Sequence, residues 1–218
     1  MICGVDEAGR GPVMGPLVIA GVQIENEQPL KDLNVRDSKK CTPQRREYLA
    51  EKIKKQAASY EVIIVSAADI DRMRATMTLN ELELYAFSKV MGKLKSDTYY
   101  VDSVDVNAER FGNEISRKLS FPSIIVSKHK ADEIYPIVSA ASILAKTIRD
   151  DKIQIISQQL GKRLNLSVGS GYPADPVTQK FLKTWVKKFG FLPPYTRHSW
   201  KTAQKVLQEN NTKKLNSF

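Results

Sequence analysis

The chain opens on MICGVDEAGRGPVMGP, residues 1–16, and the reading of this stretch decides the rest. Residues 2–5 form an apolar run that reads as a buried strand. Asp6 and Glu7 follow it directly, and glycines stand at positions 9, 11 and 15, with Arg10 between the first two. The next run, LVIAGVQI at 17–24, is again strand-like, and the link 9–16 is too rich in Gly and Pro to be helix. Two strands on so short a link can pair antiparallel. Side chains alternate along a strand, so Asp6 and Glu7 point to opposite faces if the strand continues. They serve one site only if it stops there, and Ala8-Gly9 makes a stop reasonable.

Working outward, residues 61–66 (EVIIVS), 98–102 (TYYVD) and 123–127 (SIIVS) supply three further strands. Thr42-Pro43 is an N-cap followed by a first-turn proline and opens a helix to about Ala58. Thr78-Leu-Asn-Glu81 is a capping box ahead of a periodic run to about Leu94. Further helices are expected over about 107–119, 136–160, 177–189 and 199–208, with the Gly-rich break GSGYPADP at 169–176. The long helix carries small residues (Ser139, Ala140, Ala141, Ser142 and Ala145) that would let it lie close against a sheet or ligand. The first two strands are joined by a short link, and the later strands are separated by helices. That order describes a mixed sheet covered by helices. The expected organisation is a catalytic domain over 1–168, a helical C-terminal region over 169–208 and a mobile tail over 209–218.

Composition bounds the function. The 218 residues, 42% of them apolar, suffice for one large domain with a real core. No apolar run reaches the length of a membrane span, and the first residues lack the basic and apolar regions of a signal peptide. The two cysteines, Cys3 and Cys41, read as reduced cytoplasmic thiols, since neither a disulfide framework nor a zinc-type spacing is present. A formal charge of +10 points to a polyanion, nucleic acid before anionic membrane. Between Lys180 and Phe218 there are nine Lys/Arg and one acid, Glu209, whereas carboxylates concentrate earlier.

Those carboxylates carry the chemistry. Asp6, Glu7 and Asp102 stand at strand ends, and Asp132 lies just past the fifth strand, with Asp105 a further candidate. Each alone reads equally as a cap or a solvated charge. If the first and fourth strands are parallel neighbours, Asp6 and Asp102 converge, and close carboxylates need protons or hard cations. All-oxygen ligation favours Mg2+ or Mn2+ over zinc, and an ion pair of that kind can drive phosphodiester hydrolysis. GRGPVMGP is neither a Walker A loop nor a dinucleotide fingerprint, because neither GK[ST] nor a helix follows. Its bare main chain suits either a tight turn or close approach to a sugar or phosphate.

DEAGRGPVMGP (6–16), RDSKK (36–40), YYVDSVDV (99–106), KHKADEIYPIVSAASILAK (128–146) and GSGYPADP (169–176) closely resemble ribonuclease HII, the last most like its archaeal branch. The resemblance runs in order from about residue 2 to residue 205. The start DEAGRGP, rather than a DESGKGD-like form, favours HII over HIII. What it implies is a ribonuclease H-like α/β fold, a five-stranded mixed sheet flanked by helices with a helical C-terminal region. It also implies metal-dependent hydrolysis of RNA paired to DNA, including incision 5′ of a ribonucleotide embedded in duplex DNA, leaving 3′-hydroxyl and 5′-phosphate. Matched position by position, Asp6, Glu7, Asp102 and Asp132 correspond to the family's metal-binding acids, and Asp105 does not. Gly9-Arg10-Gly11 corresponds to the motif whose backbone reads the 2′-hydroxyl, and Tyr172 to the tyrosine that packs on sugar.

Lys39 and Lys40 fall in the family's basic segment near phosphate. Lys146, with Lys128 and Lys130, is a further phosphate candidate, and His129 is assigned a surface or packing role rather than that of a base. Leu215 and Phe218 have the spacing of a short peptide that binds the replication sliding clamp, although Thr212 stands where Gln is usual. The expected enzyme is a cytoplasmic monomer acting on RNA–DNA hybrids and ribonucleotide-containing duplexes, with no membrane partner. Two rivals stand beside it: another nuclease on the same fold, such as a junction resolvase, and a non-catalytic nucleic-acid-binding module.

Overall fold

Strand β1 (Ile2–Ala8) lies at the centre of a five-stranded sheet of order β3-β2-β1-β4-β5. The others are β2 (Leu17–Ile24), β3 (Ser59–Val65), β4 (Thr98–Asp102) and β5 (Ile124–Lys128). β1 pairs antiparallel with β2 and parallel with β4, and β4 pairs parallel with β5, so the sheet is mixed as the element order predicts. This computed structural model describes residues 1–35 and 41–215, with side chains through residue 212. Lys39 and Lys40 lie outside the described residues, as do Phe218 and the side chain of Leu215.

The chain forms two compact units. The first comprises Met1–Ala8, Val18–Ile64 and Met77–Ile148. Alternation along β2 assigns its two faces. Ala20, Val22 and Ile24 join a core with Leu49, Ala50 and Ile53 of α2 (Pro43–Gln56) and Ile137, Val138 and Ala141 of α7 (Pro136–Gly161). On the other face a side chain at Gly21 would meet Val90 and Leu94 of α4 (Leu79–Leu94), and Gln23 donates to the Leu94 carbonyl at 2.8 Å. There Phe87 also packs edge-on against Phe111 of α5 (Ala108–Lys118), with ring centroids 5.5 Å apart. Gly4 of β1 faces α7 so closely that a Cβ would run into the Ile137 main chain. The expected caps form: Thr42 accepts from Arg45 N–H, and Thr78 and Glu81 make a complete capping box.

The second unit comprises Gly9–Leu17, Val65–Thr76 and the chain from Arg149 onward. Its core joins Val13 and Met14 to Ile153 and Ile156 of α7, Phe181 and Trp185 of α8 (Pro176–Phe189) and Ala203 and Val206 of α9 (Lys201–Leu215). Asp175 caps α8 ahead of Pro176, and Gly190 closes it in the left-handed conformation.

Several elements differ from the sequence reading. β1 does not stop at Val5: β2 keeps pairing with it through Asp6↔Ala20, Glu7↔Ile19 and Ala8↔Val18. The short helices α1 (Gln28–Asp32) and α3 (Ala67–Met73) are too brief to show helical periodicity, although Ser66 accepting from Asp69 N–H marks the start of α3. Helix α9 continues past Gln208 to Leu215.

Candidate active site

The acidic residues belong to the first unit. β1 and β4 pair in register from Ile2↔Thr98 to Val5↔Val101, which leaves Asp6 and Asp102 as the next residues on two adjacent parallel strands. Adjacent strands lie about 4.8 Å apart, so the two carboxylates share one neighbourhood. Asp6 is 4% exposed. Burial, then the charge of Asp102 and that of Glu7, push its carboxyl well above the usual range, against opposing effects from the Ser142 hydroxyl and Lys146. Asp102 Oδ1 accepts from Ala131 N–H at 2.8 Å, which ties the tip of β4 to the start of α6 (Ala131–Ile134).

That short helix buries Asp132. The small residues of α7 supply the remaining wall. Ser139, Ala140, Ala141, Ser142 and Ala145 are all fully buried, as their size predicts. Lys146 Nζ donates to Ser142 Oγ at 2.7 Å and stands 4.0 Å from Asp132 Oδ2. Asp6, Ser142, Lys146 and Asp132 therefore form one connected polar chain in this unit.

β1 continues one residue past Glu7 and ends at Ala8, so the two acids stand just inside the end of the strand rather than beyond it. Asp6 lies on the α7 face, two residues from Gly4, and Glu7 alternates to the other. Their link is through the backbone: Glu7 N–H donates to Asp6 Oδ1 at 2.7 Å. Asp105, which the resemblance set aside, is paired with Arg110 at 2.6 Å and accepts from Asn107 N–H. Hydrogen bonds from Arg110 and the Asn107 amide hold its carboxyl low. His129 Nε2 contacts the Val106 carbonyl at 3.2 Å.

Divalent cations are what the resemblance implies here. The donor set fits them in chemistry, since carboxylate oxygens converge at Asp6 and Asp102 and the buried Asp6 carries an electrostatic stress that a cation would relieve. Among the described residues, no three His, Cys, Asp or Glu side chains are close enough to form a ready-made ion cage.

The second unit gathers the glycine loop and Tyr172. Gly9 has φ +92°, a conformation suited to glycine, and a Cβ there would strike the Pro16 carbonyl. Gly11 is exposed, and a Cβ on it would sit 3.7 Å from the Tyr172 ring, which is itself 41% exposed. Loop and ring thus border one surface. Val13 N–H donates to Gly171 O at 2.8 Å, which joins this loop to GSGYPADP. Asp175 accepts from Ser170 N–H at 2.6 Å and from Ser170 Oγ at 2.7 Å, and these bonds lower its carboxyl to about 2. Arg149 is buried, donates to the Ser170 carbonyl and places its guanidinium 4.9 Å from the Tyr172 ring centroid.

Two residues that the sequence reading passed over complete this unit. Arg197, fully buried, donates to the carbonyls of Gly15, Arg10 and Gly9 at 3.1, 2.9 and 2.5 Å. Trp200 donates to the Gly11 carbonyl at 3.3 Å and lies against the Arg197 guanidinium, 4.8 Å from the ring centroid. In sequence Arg197 is one of nine C-terminal cations, and nothing local separates a buried arginine from a solvated one. The one available hint was an aromatic residue three positions on.

A five-stranded mixed sheet flanked by helices, with acids at the tips of its parallel central strands, is a ribonuclease H-like fold. The sequence model of the family described as Ribonuclease HII matches residues 3–203. Ribonuclease HII of Methanococcoides burtonii is 46% identical over 95% of this chain and 99% of its own, and that of Methanosarcina barkeri 47% over 96% of each. The crystal structure of ribonuclease H2 from Pyrococcus horikoshii superposes with a TM-score of 0.89 at 41% identity, over 96% of this chain and 98% of its own. An RNase HII from Archaeoglobus fulgidus, solved as a complex with PCNA, gives 0.87 at 41% identity, over 94% and 96%. Bst-RNase HIII, solved with Mn2+, shares the fold alone, at 18% identity and a TM-score of 0.78 over 97% of this chain and 70% of its own. The chain belongs to the ribonuclease HII family, and it is accordingly an enzyme, a ribonuclease H of type 2.

Proposed function

We propose that this enzyme hydrolyses the RNA strand of RNA–DNA hybrids and incises 5′ of ribonucleotides embedded in duplex DNA, leaving 3′-hydroxyl and 5′-phosphate. The observation that carries the reading is the placement of Asp6 and Asp102 at adjacent parallel strand tips, with Asp6 buried and electrostatically stressed. Asp6, Asp102 and Asp132, with Glu7 reaching them around the end of β1 one residue on, would hold two divalent cations, Mg2+ or Mn2+, and such ions supply the Lewis acidity that phosphodiester hydrolysis by water requires. Asp102, fixed by Ala131 N–H, presents its carboxylate without reorganising. Lys146, poised by Ser142, balances the acids and is suited to meet a substrate phosphate.

Gly9, Arg10 and Gly11 read the ribose through their main chain, and Tyr172 packs on the sugar. A 2′-hydroxyl both donates and accepts, so deoxyribose leaves such groups unpaired, at about 1–3 kcal/mol each. Lys39 and Lys40 contact phosphate. We also propose a sliding clamp as partner through Leu215 and Phe218, supported by the PCNA complex of the Archaeoglobus relative.

The deciding experiment maps cleavage on DNA–RNA–DNA duplexes with and without divalent metal. Metal-dependent cutting on the 5′ side of the ribonucleotide is expected. Equal cutting of an all-DNA duplex would point to another nuclease on this fold. For the clamp, a pull-down unaffected by deleting residues 212–218 would end that part of the proposal.

A further inference from the structure

We infer that Arg197 is the positioning residue for ribose specificity: by drawing the Gly9 and Arg10 carbonyls to one buried guanidinium, it turns the following amides of Arg10 and Gly11 outward as a fixed reader of the 2′-hydroxyl. The inference rests on the proposed role of the Gly9–Gly11 main chain.

The geometry is that of the trans peptide. Each carbonyl and the N–H of the next residue belong to one plane and point in opposite directions. A donor that holds the Gly9 carbonyl aims the Arg10 N–H away from itself, and one that holds the Arg10 carbonyl does the same for Gly11. Arg197 holds both, at 2.5 and 2.9 Å, and anchors the far side of the loop through Gly15 at 3.1 Å. Trp200 holds the next carbonyl, that of Gly11, whose plane ends in Pro12 and so carries no N–H. Four carbonyls in this loop are thereby fixed from one side by two side chains.

The support behind Arg197 is itself rigid. Its guanidinium is stacked on Trp200, whose ring also has the Arg74 guanidinium 5.5 Å from its centroid. Arg197 N–H donates to the Val13 carbonyl at 2.8 Å. The Asp71 carboxylate accepts from His198 N–H, Ser199 N–H and Ser199 Oγ at 2.7, 3.0 and 2.6 Å, which pins the segment just after it. A glycine-rich loop has the largest conformational freedom to lose, so pre-ordering it favours any ligand that needs one arrangement of its amides. Planarity and a fork of donors suit arginine to spanning several carbonyls, and one lysine ammonium cannot reproduce that reach.

The test compares kcat/KM for two duplexes that differ only at one nucleotide, ribose against 2′-deoxy-2′-fluororibose, in the full-length enzyme and its variants. The ratio cancels any general loss of activity. Wild type is expected to prefer ribose by about a hundredfold or more. Arg197→Gln is expected to reduce that preference by about tenfold, with part of it recovered in Arg197→Lys. If wild type itself shows no preference, the ribose-reading role of the loop fails and the inference with it. If wild type discriminates and folded Arg197→Gln loses activity equally on both duplexes, the residue is merely structural and the inference alone is overturned. Should Arg197→Gln not fold, Arg197→Lys, which keeps the charge but cannot span the Gly9, Arg10 and Gly15 carbonyls, takes its place; an unchanged preference there overturns the inference equally.

Discussion

Asp6 and Asp102 each stand one residue beyond Val5↔Val101, the last pair of the parallel ladder between β1 and β4. Two strands far apart in the chain thus bring carboxylates together where the ladder ends, and one of them is buried. This juxtaposition is costly without a cation and useful with one.

Asp6→Asn separates those two effects. The substitution is expected to abolish measurable cleavage while stabilising the metal-free protein by about 1 kcal/mol, because it replaces a carboxyl whose charged form is opposed by burial, then by Asp102 and Glu7. Thermal melts in chelator, alongside activity assays in Mg2+, check both halves. A variant melting below wild type in chelator would contradict the stressed state of Asp6.

Asp175 provides a pH signature in the second unit. Its carboxyl is depressed to about 2 by hydrogen bonds from Ser170, with a further one from the Val177 amide. A folded value below the unfolded one, near 3.9, means its contribution is complete above about pH 4 and lost as pH falls through about 2. Asp175→Ala is expected to cost roughly 0.5–2 kcal/mol at neutral pH, as loss of a helix cap does. Chemical denaturation as a function of pH should show that difference shrinking below about pH 4.

Gly4→Ala tests the closeness of β1 to α7. The added methyl would strike the Ile137 main chain, which belongs to a helix and cannot swing aside. The expected loss is about 1–3 kcal/mol, as for overpacked cores, read as a lower denaturation midpoint at unchanged slope. Gly92→Ala in α4, with open space around it, is the matched control and should be neutral or mildly stabilising.

Binding to substrate should weaken steeply with salt. A protein of charge +10 that neutralises about six phosphates loses roughly a thousandfold in affinity between about 50 and 200 mM salt. Fluorescence anisotropy on a labelled hybrid measures the slope, and a flat response would count against the electrostatic role of the basic C-terminal region from Lys180 on.

Much of the fold was legible because its signals are local. The Thr42-Pro43 start and the Thr78–Glu81 box marked helix beginnings where the structure has them. The length of the apolar runs marked all five strands, and the small residues of α7 announced a buried face. The end of β1 was not legible. Whether a strand stops after Val5 depends on its partner, and β2 carries the pairing on to Ala8.

By itself the sequence determined which residues are the candidates: acids after apolar runs, a bare Gly-Arg-Gly loop, a tyrosine in a glycine-rich break, and a net positive charge. These are properties of residue type and spacing, which survive without knowledge of neighbours. Tertiary structure alone decided that Asp6 lies on the face of Ser142 while Glu7 does not, that Lys146 is drawn towards Asp132, and that Arg197, one cation among nine near the C-terminus, is buried against the carbonyls of the glycine loop. The reason is physical: strand register, burial and hydrogen-bond partnership arise between segments distant in the chain. A charged side chain does not reveal locally whether it will meet water or a carbonyl.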